Sequence, residues 1–180
     1  AADRERWVEL AKSWTRFGGW LQWLADEGVS VNVGSFVGDG TVREWGKGLG
    51  LGPATPDELA MMTDMLSVAM EDGAFGLATA LIYPPGCYAS TSELIALCEI
   101  VANYRGVHIT HMRSEESRLL EGLQETIEIA AQTGVATEIY HLKAAGRPNW
   151  PKMAQVIRRI DEARADGLDI TADMYPYVAA

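Results

Sequence analysis

Val107-His-Ile-Thr-His111-Met-Arg and Thr137-Glu-Ile-Tyr-His141-Leu-Lys are the stretches that decide the fold of this chain. Each is a short β-like run that closes on a histidine and gives way to a helical pattern. In parallel α/β folds the carboxyl ends of the strands open onto loops rather than onto core, and catalytic groups and metal ligands collect there. Two histidines so placed, one βα unit apart, point to a metal-dependent enzyme.

The same alternation extends in both directions. Upstream, Thr55-Pro-Asp-Glu58 is a helix start with a capping-box pattern, and the helix is expected to reach Asp72. A strand over Phe75 to Ile82 follows, then a turn at Tyr83-Pro-Pro-Gly, where neither proline can continue a ladder or a helix, then a helix from Thr91 to about Tyr104. Downstream of the strand Val107 to His111 come a helix over Glu115 to Thr133, a strand over Val135 to His141, a helix over Asn149 to Ala165 and a strand over Leu168 to Asp173. At the amino end, Trp7, Leu10, Trp14, Phe17, Leu21 and Leu24 recur at helical spacing and predict one amphipathic helix from Arg4 to Ala25, weakened at Gly18-Gly19. Val29 to Val37 alternates as a strand, and Gly38 to Pro53 reads as a Gly-rich loop. Met61, Met62, Met65 and Met70 read as core filler.

The strand ends near Tyr83, His111, His141 and Asp173 are 28, 30 and 32 residues apart. Those are the lengths of whole βαβ crossovers and favour parallel strands in sequential order. A (β/α)8 barrel takes about 250 residues, so five strands in 180 residues predict a partial barrel forming a single domain over 1–180, with an open doubly wound sheet as the second choice. The tail Tyr175-Pro-Tyr-Val-Ala-Ala carries no helix to cover the final strand.

Composition narrows the function. A hydrophobic content of 48% gives enough material for one core, and the formal charge of −10 disfavours nucleic acid and anionic membranes, which attract positive proteins. Cys87 and Cys98 form neither a disulfide framework nor a zinc-cysteine spacing. No membrane span is predicted, and the expectation is a cytoplasmic protein acting on a small molecule, able to self-associate through exposed barrel edges.

Strand alternation puts His111 and Ile109 on one face, and His108 and Thr110 on the other, which makes His108 the structural histidine. Catalytic zinc takes about three protein ligands and keeps a position for water. His111 and His141 supply two, and the third candidates within the chain are Asp173 and Asp39. Lys143, two residues past His141, suits either a substrate carboxylate or a Schiff base. Tyr83, Tyr175 and Tyr177 sit at strand ends beside prolines, where a phenol can donate into the same mouth. Arg113 and Glu115 are expected to orient the loop rather than to contact a metal.

Five blocks together resemble the N-acyl-D-amino-acid deacylases (D-aminoacylases) of the amidohydrolase superfamily: N-V-G-S-F-V-G-D-G-T-V-R from Asn32, G-A-F-G-L-A-T-A-L-I-Y-P-P-G from Gly73, T-H-M-R-S-E from Thr110, H-L-K-A-A-G from His141 and D-M-Y-P-Y from Asp173. The resemblance implies a zinc-dependent (β/α)8 barrel with a small β-sandwich, hydrolysing N-acyl-D-amino acids to a D-amino acid and a carboxylate. It implies zinc ligands at His111 and His141, and substrate-carboxylate contacts at Tyr83 and Lys143, with Tyr175 a weaker carry-over to the substrate pocket. Two positions depart from the family pattern, Asp39 where His is usual and Tyr140 where Ser is usual. The family's H-x-H strand, bridging cysteine and catalytic aspartate have no counterpart among these residues. The first two barrel strands, the last strand and the sandwich are therefore expected to be missing, and the 180 residues alone to be inactive. The rival readings are a Schiff-base lyase or aldolase built on Lys143, and a non-catalytic barrel fragment that needs a complementary chain.

Overall fold

The computed structural model describes residues 2–177. Seven helices and five strands alternate: α1 (Ala2–Ser13), α2 (Phe17–Glu27), β1 (Val37–Gly38), α3 (Asp39–Gly46), α4 (Pro56–Glu71), β2 (Gly76–Ala80), α5 (Thr91–Asn103), β3 (Val107–His111), α6 (Leu119–Thr133), β4 (Ala136–Ile139), α7 (Met153–Ala165) and β5 (Ile170–Ala172). All strand pairs are parallel and the order across the sheet is β1-β2-β3-β4-β5. This is the α/β architecture of a partial (β/α)8 barrel, with its strands in sequential order. Val178, Ala179 and Ala180, which close the uncovered tail expected from the sequence, lie outside the described residues.

Two apolar clusters fix the helices on the sheet. One joins Leu66 and Met70 of α4 to Leu77 of β2 and to Leu94, Leu97 and Val101 of α5. The other joins Leu119 and Leu123 of α6 to Ile139 of β4, Val156 and Ile160 of α7, and Ile170 of β5. Burial of each such aliphatic side chain is worth about 1.5–3 kcal/mol. Met62 and Met70 belong to the core as expected, but Met61 is 47% exposed, because it stands one residue, about 100° of helix, off the face that carries Met62 and Leu66.

α4 begins as its sequence dictates: the Thr55 side chain accepts from the Glu58 N–H, and the Glu58 carboxylate accepts from the Thr55 N–H. Three amino-terminal expectations change. The single helix of Arg4 to Ala25 is two, broken before Phe17 rather than at Gly18-Gly19. The cause is tertiary: Arg16 donates to both carboxylate oxygens of Asp72, at 3.1 and 2.6 Å, and the Gly18 N–H donates to the same group, pulling Arg16 into an extended conformation. The expected strand Val29 to Val37 contributes only its last residue to the ladder. Val37 and Gly38 face Leu77 and Ala78, whereas Val29, Val31 and Val33 are 46, 68 and 45% exposed, with no layer to bury them. The Gly-rich loop contains α3, which packs so closely on α4 that a Cβ at Gly46 would lie 2.5 Å from Met62 Cγ.

Two further helices start late. α6 begins at Leu119 rather than Glu115, so residues 112–118 form a loop over the end of β3. The segment Arg147–Lys152 is a 3-10 turn ahead of α7, because Pro151 lacks the N–H that an α-helical turn needs.

Candidate metal centre

β3 separates its two histidines by alternation. His108 is wholly buried on the helix-facing side, its Nε2 3.0 Å from the Thr79 hydroxyl, which in turn donates to Thr110 at 2.8 Å. Burial pushes its pKa down to about 4, so it is neutral and structural. His111 ends the strand facing the mouth, and burial holds its pKa below the ordinary value despite the opposing pull of Glu115. The neutral form is the one that can bind a metal.

His141 lies just past β4 and is held in the left-handed region, at φ 39, which is costly for a residue with a Cβ and typical of functional sites. What holds it is the Asp173 carboxylate after β5, which accepts the His141 N–H. The turn aims its ring at the neighbouring strand end. His111 Nδ1 and His141 Nε2 face each other at 3.0 Å, with ring centroids 4.6 Å apart. Two nitrogens on one tetrahedral zinc, with bonds of about 2.0–2.1 Å, stand about 3.3 Å apart.

The remaining ring nitrogens converge on one oxygen. Glu115 Oε1 lies 3.0 Å from His141 Nδ1 and 3.8 Å from His111 Nε2, and the latter is buried with no hydrogen-bond partner. Lys143 Nζ donates to the same Glu115 oxygen at 2.7 Å and to the His141 carbonyl at 2.9 Å. The donor set, two imidazoles and a carboxylate gathered at one point with one buried ring nitrogen unpartnered, therefore fits a divalent transition-metal ion.

The other sequence candidates divide. Tyr83 lies beside His111, its ring tilted at 56° with centroids 5.7 Å apart, while Tyr175 is 6.2 Å from the His141 ring and carries Lys143 Nζ at 5.4 Å from its centroid. Tyr177 follows Tyr175 but is 75% exposed. Lys143 is no longer on a strand, since β4 ends at Ile139, yet its side chain returns to the centre. Neither aspartate is the third donor gathered with the histidines; among the described residues that donor is Glu115. Asp173 is spent on the His141 backbone. Asp39 is buried at the start of α3, accepting from the Ala80 N–H at 3.3 Å, beneath Gly86 of the Tyr83 loop, and burial raises its pKa.

Glu115 was legible only as a loop residue. The available signal was an acidic residue four positions after a strand-end histidine, close enough to fold back onto the same mouth. Arg113 does orient its loop. Its guanidinium forks onto both oxygens of Glu125 at 2.8 and 2.9 Å and donates to the carbonyls of Cys87 and Ala89, tying the end of β3 to the Tyr83 loop and α6. Beside this knot opens a cavity of ≈ 640 Å³, lined in part by Ile82, His111, Glu115 and Arg118.

Histidines at adjacent strand ends of a partial parallel barrel fit the metal-dependent amidohydrolases, and comparison with known proteins places the chain among them. No family model matches the chain. It is 35% identical over 164 residues to a D-aminoacylase of Alcaligenes xylosoxydans xylosoxydans, which covers 91% of this chain and 34% of that protein. A crystal structure of a D-aminoacylase described as defining a novel subset of amidohydrolases superposes with a TM-score of 0.87 at 34% identity, over 92% of this chain and 35% of that one. An N-acyl-D-glutamate deacylase from Bordetella bronchiseptica, solved with zinc and a phosphonate mimic of the tetrahedral intermediate, gives a TM-score of 0.87 at 31% identity, over 90% and 34%. The chain belongs to the N-acyl-D-amino-acid deacylase family and spans about a third of the length of the relatives it matches.

Proposed function

We propose that this chain contributes part of the metal centre and the substrate-carboxylate site to a zinc-dependent hydrolase that splits N-acyl-D-amino acids into a D-amino acid and a carboxylate. It is read as the central portion of a longer barrel, the first two strands, the last strand and the sandwich lying elsewhere. The observation that carries the reading is the 3.0 Å approach of His111 Nδ1 to His141 Nε2 from adjacent strand ends. A zinc ion held by these histidines supplies Lewis acidity, polarising a carbonyl and activating water near neutral pH.

The chain's own residues do the positioning. Lys143 and the Tyr83 phenol flank the histidines and are suited to hold an α-carboxylate, with Tyr175 closing the side beside Lys143. The Schiff-base alternative is disfavoured by the contacts of Lys143 Nζ, which donates to Glu115 at 2.7 Å and to the His141 carbonyl at 2.9 Å and so is not free to attack a carbonyl.

Zinc titration of the chain against a chromophoric chelator tests the reading. The wild-type chain is expected to take up one zinc, and the double variant His111→Ala/His141→Ala to lose it. Equal uptake by both would place any metal elsewhere and remove the basis for assaying N-acyl-D-amino acids.

A further inference from the structure

From the packing of the Tyr83 loop on the first turn of α3 we infer that Asp39 is a positioning residue for the substrate-carboxylate site: its side chain seats the loop that presents the Tyr83 phenol beside His111. The inference rests on the functional reading above and extends it to a residue on another strand end, outside the histidine centre.

β1 ends at Gly38, so Asp39 opens α3 at the same carboxyl end of the sheet that carries His111 on β3. Its side chain is enclosed, the residue being 4% exposed. Oδ1 accepts from the N–H of Ala80, the last residue of β2 and the point where the loop leaves the sheet. Oδ2 is buried, without a hydrogen-bond partner among the described residues, and lies against Gly86, where a Cβ would stand 2.5 Å from it. One carboxylate therefore meets both ends of the stretch 80–86, with Tyr83 between them. The neighbouring residue continues the seat, since a Cβ on Gly40 would stand 3.7 Å from Pro85 Cδ.

The loop is tied on its other side to β3. The Leu81 N–H donates to the His111 carbonyl at 3.1 Å, and Arg113 holds the carbonyls of Cys87 and Ala89. Within it, the Tyr83 N–H donates to the Ala80 carbonyl at 3.1 Å and the Cys87 N–H to the Tyr83 carbonyl at 2.9 Å. The Tyr83 side chain itself is 57% exposed, so its place beside His111 is set by its backbone, and the backbone is set between Arg113 and Asp39. A buried oxygen left without a partner is costly, and such costs collect where local geometry serves a site. Size and one accepted bond are what the loop uses, not charge. The charged groups that face Asp39, Arg43 one turn along α3 and Glu93 of α5, are paired with each other, and burial raises the Asp39 pKa.

Steady-state kinetics of the longer protein that carries this chain test the inference, with whichever of N-acetyl-D-leucine, N-acetyl-D-glutamate and N-acetyl-D-aspartate is turned over fastest. Zinc content and amide hydrogen exchange are read on the same samples. Asp39→Ala should raise KM by about tenfold with kcat within about threefold, the mark of binding lost equally from ground and transition states, at unchanged zinc content. In the Tyr83→Phe background the same change should add less than about twofold, because a residue that acts through Tyr83 then has nothing to act on. Asp39→Asn, which keeps the size and the accepted bond, should stay within about twofold of wild type. Exchange in Asp39→Ala should quicken over residues 80–89 and hold over 107–111. Gly86→Ala presses on the same contact from the loop side and should copy the rise in KM, which decides the matter if Asp39→Ala does not fold. Fully additive losses in the double variant overturn the inference, as does an unchanged KM in Gly86→Ala or Asp39→Ala. Absence of turnover by the zinc-loaded wild type would overturn the functional reading, while exchange over 80–89 judges Asp39 separately: equal rates in wild type and Asp39→Ala overturn its role.

Discussion

Two ionic clusters in this molecule are built from similar parts and put to opposite use. Arg43 and Glu93 form an ion pair at 0 and 3% side-chain exposure; the other arm of the guanidinium donates to the Gly52 carbonyl and the other carboxylate oxygen accepts from the Ala54 N–H. Their charge is spent on backbone, stitching the segment before α4 to α3 and α5. Lys143 and Glu115 form their pair at 23 and 10% exposure, and their remaining contacts go mainly to side chains, the two imidazoles and the Tyr175 ring, with one to the His141 carbonyl. A sealed pair fixes a chain path, whereas a pair at a strand mouth holds side chains whose lone pairs are still free.

The largest effect expected from this contrast is on stability. Glu93→Ala should cost about 3–5 kcal/mol, because it strands a fully buried guanidinium. Urea denaturation reads that loss directly, and a cost under about 1 kcal/mol would erase the distinction between the clusters. Next comes His108, which shares β3 with the centre but behaves as core. Its folded pKa of about 4 lies below the ordinary 6.5, so the unfolded chain binds the extra proton in that window. Stability contributed by its neutral form is present above pH 6.5 and falls by about 3 kcal/mol as pH drops towards 4, then levels off. Denaturation midpoints across that range should fall more steeply with pH in wild type than in His108→Gln, the difference being the His108 contribution. The smallest effect belongs to the open pair: Lys143→Met should shift stability by no more than about 1 kcal/mol. A thermal melt displaced as far as that of Glu93→Ala would show the mouth to be scaffold instead.

The two clusters also mark what could be read from sequence. β3 matched its expected span, Val107 to His111, because a β-branched run between a glycine and a loop has one reading. The capping box of α4 is equally local. The facing histidines followed from the repeat of strand ends. Arg43 and Glu93, however, are 50 residues apart, and nothing in either neighbourhood names the other. The break before α2 depends on Asp72, 56 residues from Arg16, so helical periodicity alone ran straight through it. Val29 to Val33 alternates as a strand should, but a strand needs a neighbour, and β2 is only five residues long. Glu115 was hidden for another reason: its role arises from a loop that folds back, and periodic patterns carry no information about loops.

The strand order β1-β2-β3-β4-β5 has a consequence for how the molecule comes into being. Among the described residues, each strand from β2 to β5 pairs with the one synthesised just before it. At about 5–20 residues per second, a βα unit of about 30 residues leaves the ribosome in roughly 2–6 s, whereas closing a short loop takes well under a millisecond. Each new strand therefore meets a finished template, and the unpaired edge on that side moves forward one strand at a time. The register of the sheet is inherited along the chain, with His111 in place on β3 before His141 is made.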